Sequence, residues 1–411
     1  MECRRGQACN AGPCRPPGGA CNWVAGWRVS FPMIESTLSS LDVPPDFCPD
    51  GSRMANVPRL PAPEFVLTVA SQPGESVAAV FSRLATALRE RDATVLKLIV
   101  YGSLAAHEEG VKMMRRHLGA IDWPVTWVEG ASCDGSPLAG VQAFAIAGAD
   151  LQRVMVNGKV VGSVFEDGGA RHCLLGGLGP TDPTQPRATQ ASQTFENLST
   201  ALGQAGFELA DVARTWFFND DILAWYGDFN RVRTAHYART LFHMGSLPAS
   251  TGVEGYNPAG AACVMGAWAV QPLDGATRVA EVGSPLQCPA PAYGSSFSRA
   301  MEIASGGRRR VLVSGTASIA PGGETLWPGD TGKQIEQTME VIAAILRTRE
   351  MDFGDVTRAT AYFKHRTDIG WFEKWLQDNR LQTMSYVPVH CDICRDDLLF
   401  ELEVDAVRAD E

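Results

Sequence analysis

The sequence holds little net positive charge, no long apolar run and no second metal-ligand knuckle to follow Cys391-x-x-Cys394, and each shortage removes a class of function. Against 46 acidic residues stand 36 basic ones, a formal charge of -10, and a field of that sign repels phosphate backbones and anionic lipid. No basic patch follows the first few residues, so neither nucleic acid nor a membrane surface is expected as a partner. No apolar run reaches the roughly 18 to 20 residues that span a bilayer, and the start of the chain lacks the continuous apolar segment of a signal peptide. The expected location is the cytoplasm. His236, His243, His365 and His390 are scattered without a two-His metal spacing or a Ser-His-Asp order. Gly176-Gly177-Leu178-Gly179 follows a strand-like run but does not open a helix directly, which argues against a phosphate loop. No cofactor is expected.

Cysteine is plentiful, with 11 in the chain. Cys3, Cys9, Cys14 and Cys21 cluster in a stretch rich in Gly, Pro and Arg, but at wider intervals than the paired Cys-x2-4-Cys knuckles of structural zinc. Cys173, Cys263 and Cys288 stand singly in apolar stretches, where a buried thiol behaves as a small hydrophobe and a reduced compartment suits it. Residues 1–60 contain Pro and Gly clusters without sustained periodicity and read as a poorly structured leader, with Met33 and Met54 as alternative starts.

A chain of 411 residues with 45% hydrophobic and 20% charged residues is globular and suits two or three modules. Internal repetition decides which. Gln193-Thr194-Phe195-Glu196 opens a helical pattern that runs to Asp211-Val212-Ala213-Arg214 and a strand-like Thr215-Trp216-Phe217-Phe218. Gln337-Thr338-Met339-Glu340 opens the same pattern, which reaches Asp355-Val356-Thr357-Arg358 and Ala359-Thr360-Ala361-Tyr362. The interval from Asp211 to Asp355 is too long for a solenoid repeat and right for a whole small domain. A fainter copy lies upstream, with a helix through Phe81, Leu84 and Leu88, a strand over Leu96 to Tyr101 and a closing strand over Ala143 to Ala147. Pro124-Val125-Thr126-Trp127-Val128-Glu129-Gly130 echoes Pro248-Ala249-Ser250-Thr251-Gly252-Val253-Glu254-Gly255.

Strand, strand, helix, strand, helix, strand, with an acidic closing strand, resembles the RidA/YjgF (chorismate-mutase-like) fold, whose members usually form homotrimers with ligand clefts between subunits. The resemblance implies an α+β chain of three tandem units, residues 61–160, 161–285 and 286–411, that close into an intrachain pseudo-trimer and leave the protein a monomer.

From about residue 205 onward the sequence is similar to the chorismatases, which hydrolyse or rearrange chorismate with loss of pyruvate. Arg214-Thr215-Trp216-Phe217-Phe218 resembles the family's Arg-x-Trp-Asn-Tyr strand, and Trp225-Tyr226-Gly227-Asp228-Phe229-Asn230 its Arg-Tyr-x-x-Phe-Asn helix. Ser314-Gly315-Thr316-Ala317-Ser318-Ile319 matches a family loop. Asp392-Ile393-Cys394-Arg395-Asp396-Asp397-Leu398-Leu399-Phe400-Glu401-Leu402-Glu403 matches the C-terminal signature. Tyr293-Gly294-Ser295-Ser296-Phe297 departs from the family's Tyr-Gly-Pro-Arg-Ser-Pro-Ser-Phe by lacking the arginine. The resemblance implies a chorismatase-like lyase or hydrolase acting on a small cyclic or enol-ether carboxylate. It also implies that Glu401 donates a proton, that Arg395 grips a substrate carboxylate, and that Cys394 marks the subgroup forming 3-hydroxybenzoate. A RidA-type enamine deaminase stays open, although its Pro-Ala-Arg turn reads Pro248-Ala249-Ser250-Thr251 here, as does a metabolite-binding protein without chemistry.

The side chains speak for themselves as well. Arginine offers a planar fork to both oxygens of a carboxylate, so Arg395 either anchors a ligand or pairs at the surface with Asp396 or Asp397. Glu401 and Glu403 alternate with Phe400, Leu402 and Val404, which sends both carboxylates to one strand face. In a dry cleft they favour protonation, and on an open strand they are solvated. Cys394 beside Arg395 is an activated thiol or an inert buried one. Arg214, Tyr226 and Arg233 from the second copy, and Tyr293 from the connection to the third, are candidates for substrate contact or for packing.

Overall fold

In this computed structural model, Arg53–Asn56 and residues 63–410 are described. The first unit comprises β1 (Arg53–Asn56), β2 (Glu64–Ala70), α1 (Val77–Glu90), β3 (Ala93–Gly102), α2 (His107–Leu118), β4 (Val125–Val128) and β5 (Leu138–Ala147). The second comprises β6 (Gln152–Val156), β7 (Lys159–Asp167), β8 (Ala170–Leu178), α3 (Arg187–Gln204), β9 (Val212–Asn219), α4 (Ile222–Tyr237), β10 (Ala249–Glu254) and β11 (Cys263–Pro272). The third comprises β12 (Arg278–Val282), β13 (Ala300–Ser305), β14 (Arg308–Ala317), α5 (Thr331–Arg347), β15 (Val356–Phe363), α6 (Ile369–Asp378), β16 (Tyr386–His390) and β17 (Phe400–Ala409).

The chain is thus α+β with three sheets of one pattern. In each, the closing strand (β5, β11 or β17) lies between the strand before the first helix (β2, β8 or β14) and the strand after it (β3, β9 or β15). The short strand after the second helix pairs in parallel on the far side. Extra edge strands extend the later sheets, the β6–β7 hairpin in the second and β12 in the third. β6 and β7 turn through Asn157 and Gly158, both at positive φ (50° and 75°), the conformation a two-residue hairpin requires. Together with β12 they place the start of the second and third sheets before residues 161 and 286, where those units were expected to begin. β1 falls inside the stretch read as a leader and pairs with β2; the leader cysteines and Met33 lie outside the described residues. No helix among the described residues is long and apolar enough to cross a membrane.

Local chemistry explains the repeat that the sequence shows. Asp211 and Asp355 each close a one-turn helix by accepting the backbone N–H of Glu208 and Asp352, at 2.8 and 2.9 Å, which satisfies an otherwise orphaned donor. Three residues later Arg214 and Arg358 stand at the same register on β9 and β15, opposite Trp268 and Asp405. Lys97 holds that register on β3, opposite Phe144. The pair Asp-Val-x-Arg is legible because it performs one turn and one inward projection twice.

Each helix pair covers the outer face of its own sheet with a separate apolar core. A further core joins all three inner faces and includes Ile99 and Tyr101, Trp216 and Trp268, and Leu312 and Tyr362. Full burial of one such large apolar side chain contributes about 2 to 3 kcal/mol. Between units β4 meets β8, β10 meets β14 and β16 meets β2. Buried ion pairs reinforce these meetings: Arg310 of β14 reaches Glu64 of β2 at 2.6 Å, and Arg308 pairs with Asp167 of β7.

Candidate active site

A cleft opens where β10 and α4 of the second unit face β14, β17 and the 290–299 connection of the third. Hydrogen bonds stitch its floor: Ser250 N donates to Ser314 Oγ at 2.7 Å, and Gly315 N donates to Thr251 Oγ1 at 3.0 Å. The cleft is open to solvent, and the free space at its centre is about 50 Å³.

Glu401 enters it from β17, opposite Ala317 of β14. Gly315 makes its room, since a Cβ there would overlap the Glu401 carboxyl and press on Thr251. The side chain is 4% exposed and makes no hydrogen bond or ion pair to a described residue. Burial, followed by the charge on Glu403, pushes its carboxyl up to about 8, and Arg214 offsets only part of this. At neutral pH it is largely a protonated acid, able to donate.

Glu403, two residues on, shares the strand face but not the surroundings. It lies behind the cleft wall, where Arg214 Nη2 donates to it at 2.6 Å, Arg358 Nη1 at 2.8 Å and Thr360 Oγ1 at 3.1 Å. Burial alone would raise its carboxyl, but the guanidiniums of Arg358 and Arg214 outweigh that and hold it at about 2. Two carboxyls on one strand are therefore driven apart, one to each protonation state. Arg214 and Glu403 were candidates for direct contact; both have no side-chain exposure and form an internal ion pair that sets the field of the cleft.

Tyr226, Arg233, Tyr293, Cys394 and Arg395 line the cleft together with Glu401. Arg395 donates to Gly323 O at 2.7 Å. Its acidic neighbours are engaged elsewhere: Asp396 pairs with Lys364 at 2.7 Å, and Asp397 accepts from Thr325 at 2.9 Å. The Cys394 thiol is pushed up to about 12 by burial and then by Glu401, against weaker opposition from Arg395 and Arg233. It stays a thiol at neutral pH, so the adjacent guanidinium does not turn it into a thiolate nucleophile. Arg299 and Phe297 also line the wall. Among the described residues no group of three His, Cys, Asp or Glu side chains could hold a metal ion.

The other two meetings of units lack this set. At the register of Glu401 the closing strands carry Val264 on β11 and Gly140 on β5. At the register of Gly252, which lies beside the Tyr226 ring, β4 carries Trp127 and β16 carries Pro388. Trp127 is buried against Gly110 of α2. Sequence reasoning passed over Gly252, although the echo of residues 124–130 in 248–255 contains the signal, a large ring in one copy and none in the other.

No sequence-family model matches the chain. A crystal structure of chorismatase superposes with a TM-score of 0.60 at 18% identity, covering 86% of this chain and 99% of its own. The chain has the chorismatase fold. In sequence, a chorismatase from Streptomyces rapamycinicus is 26% identical over 247 residues, 53% of this chain and 69% of its own length. One from Streptomyces hygroscopicus is 24% identical over 312 residues, 70% of this chain and 88% of its own. The YjgF gene product from E. coli, a solved structure, aligns with 31% of this chain and 98% of its own, with a TM-score of 0.26 and 21% identity. Within the chorismatase fold the cleft described above is the meeting of the second and third units.

Proposed function

We propose that the chain is a chorismatase-like lyase or hydrolase acting on a small cyclic or enol-ether carboxylate, with release of pyruvate where that substrate is chorismate. The observation that carries this reading is Glu401, a buried carboxyl pushed up to about 8 in a cleft that also presents Arg233, Arg299 and Arg395 without carboxylate partners among the described residues. An enol ether is cleaved when its terminal CH2 carbon takes a proton and the cation left on the adjacent carbon takes water. The hemiketal then breaks its C–O bond, giving pyruvate and the ring alcohol and returning a proton. Glu401 supplies the first proton, and its charge as the conjugate base stabilises the cation that forms. Arg395 holds a substrate carboxylate as a planar fork, and Arg233 is placed for a second. The Cys394 thiol, protonated and beside Glu401, bears on the later fate of the ring as a weak donor.

The same reading takes the three units as an intrachain pseudo-trimer with one working cleft. The support is the cyclic order of meetings, β4 to β8, β10 to β14 and β16 to β2, together with the shared register of Lys97, Arg214 and Arg358. Three units in one chain already close the ring, so a monomer follows, and a charged metabolite as substrate fits a cytoplasmic place. Incubation with chorismate, following pyruvate with Glu401→Gln as control, tests the activity. Release by the parent and none by the variant is expected. Equal background in both removes the reading and leaves a deaminase or a binding protein.

A further inference from the structure

We propose that Phe297 is a positioning residue of the cleft. With Tyr293 it holds the guanidiniums of Arg233, Arg299 and Arg395 apart along one wall, so that ligand anions are selected by spacing as well as by charge. The proposal rests on the reading that the cleft takes carboxylates.

Buried arginines elsewhere in the protein are neutralised. Arg83, Arg214, Arg308, Arg310 and Arg358 each meet a carboxylate. Arg233 and Arg299 are as deeply buried, at 1% and 3% exposure, and neither they nor Arg395 form an ion pair among the described residues. Each is fixed instead by a neutral oxygen. Arg233 Nη2 donates to Asn230 Oδ1 at 2.6 Å, Arg299 donates through Nε and Nη2 to Cys288 O at 3.1 and 2.9 Å, and Arg395 donates to Gly323 O. These bonds orient the forks without cancelling their charge.

Aromatic rings alternate with the cations. The Arg233 and Arg299 guanidiniums lie 5.7 and 5.6 Å from the Phe297 ring centre, and those of Arg299 and Arg395 lie 5.3 and 5.4 Å from the Tyr293 ring centre. All five residues line the cleft. The negative face of a ring attracts a cation without taking up its hydrogen-bond donors. Phe297 carries no acceptor atom at all, so it stabilises two cations while leaving their free N–H groups to a ligand. A carboxylate in its place would neutralise them, and an aliphatic side chain would keep the volume and lose the attraction.

Calorimetric titration with isophthalate and with benzoate, on the parent, Phe297→Leu and Phe297→Tyr, tests this. The parent should bind isophthalate more tightly than benzoate. Phe297→Leu should weaken isophthalate about 5- to 30-fold, the loss of a ring shared by two partly desolvated cations, and should narrow the preference over benzoate. Phe297→Tyr should stay within about threefold of the parent. If chorismate is turned over, the leucine variant should raise KM and leave kcat nearly unchanged. Should that variant not fold, Phe297→Met carries the same comparison. Parent-like affinity in the leucine or methionine variant overturns the proposal, as does a tyrosine variant as weak as leucine, or a parent that binds neither probe. If the isophthalate pattern holds while chorismate yields no pyruvate, the catalytic reading falls and the role of Phe297 stands.

Discussion

Replacing Glu401 by Gln should make the folded protein more resistant to unfolding as pH rises, although Glu401 is the group assigned to catalysis. Its carboxyl titrates near 4.5 when exposed and at about 8 in the folded cleft. Between those values the folded state keeps a proton that the unfolded chain has released, so this group favours folding fully below about pH 4.5. That advantage is lost as pH climbs through 8. The loss is about 1.4 kcal/mol per pH unit across the window and approaches about 5 kcal/mol by pH 8 to 9. Glutamine keeps the shape and does not ionise. Urea unfolding of both proteins at pH 5, 6, 7, 8 and 9 should therefore give a stability difference, variant minus parent, that grows with pH and levels off above 8. Burying an amide with no partner adds a constant offset and leaves this slope alone. Parallel curves across the range would refute the argument, because they would mean that Glu401 ionises in the folded state as readily as in water.

Glu403→Gln should act in the opposite sense. It leaves Arg214 without its buried carboxylate and costs about 3 to 5 kcal/mol at neutral pH. Because Glu403 is held at about 2, that contribution is present above pH 4.5 and lost as pH falls toward 2, so the unfolding curves of parent and variant should converge in acid. The same change removes the like charge beside Glu401 and should move the alkaline limb of any pH–rate profile to lower pH. Arg395→Ala should weaken binding of a carboxylate ligand by about 2 to 5 kcal/mol, measured by calorimetric titration, if the pair it forms is desolvated. A loss under 1 kcal/mol would place Arg395 at a solvated rim.

Much of the architecture is readable from residues that repeat a local task. Asp211 and Asp355 cap the same turn, so the second and third units announce themselves. The first unit is fainter because Lys97 stands for the arginine and no capping aspartate precedes it. The cleft is harder to read. Glu401 and Glu403 look alike on a strand with period two, and only the partners brought from other strands, Arg214 and Arg358, separate their protonation states. Arg214 has the look of a substrate anchor because it sits in a family-like motif, yet the strand carries it into the centre. The aromatic spacing of the three guanidiniums is invisible in sequence, since Arg233 and Arg395 are far apart in the chain and meet only through the 290–299 connection.

Joining the units in one chain has a consequence in the core that their inner faces share. A protein built from three identical subunits must write every central residue three times, and three buried guanidiniums there would need three identical acceptors. Here each copy varies alone. Arg214 faces Glu403 and Arg358 shares Glu403 and Asp405 while also donating to Gln142. Lys97 lies over the Trp216 ring at 3.8 Å, next to Gly266, whose missing side chain leaves it room. Three cations at one register thus meet a carboxylate, a pair of carboxylates with an amide, and an indole face. Separate copies of the unit thus allow an independent choice of partner at each, which three identical chains could not make.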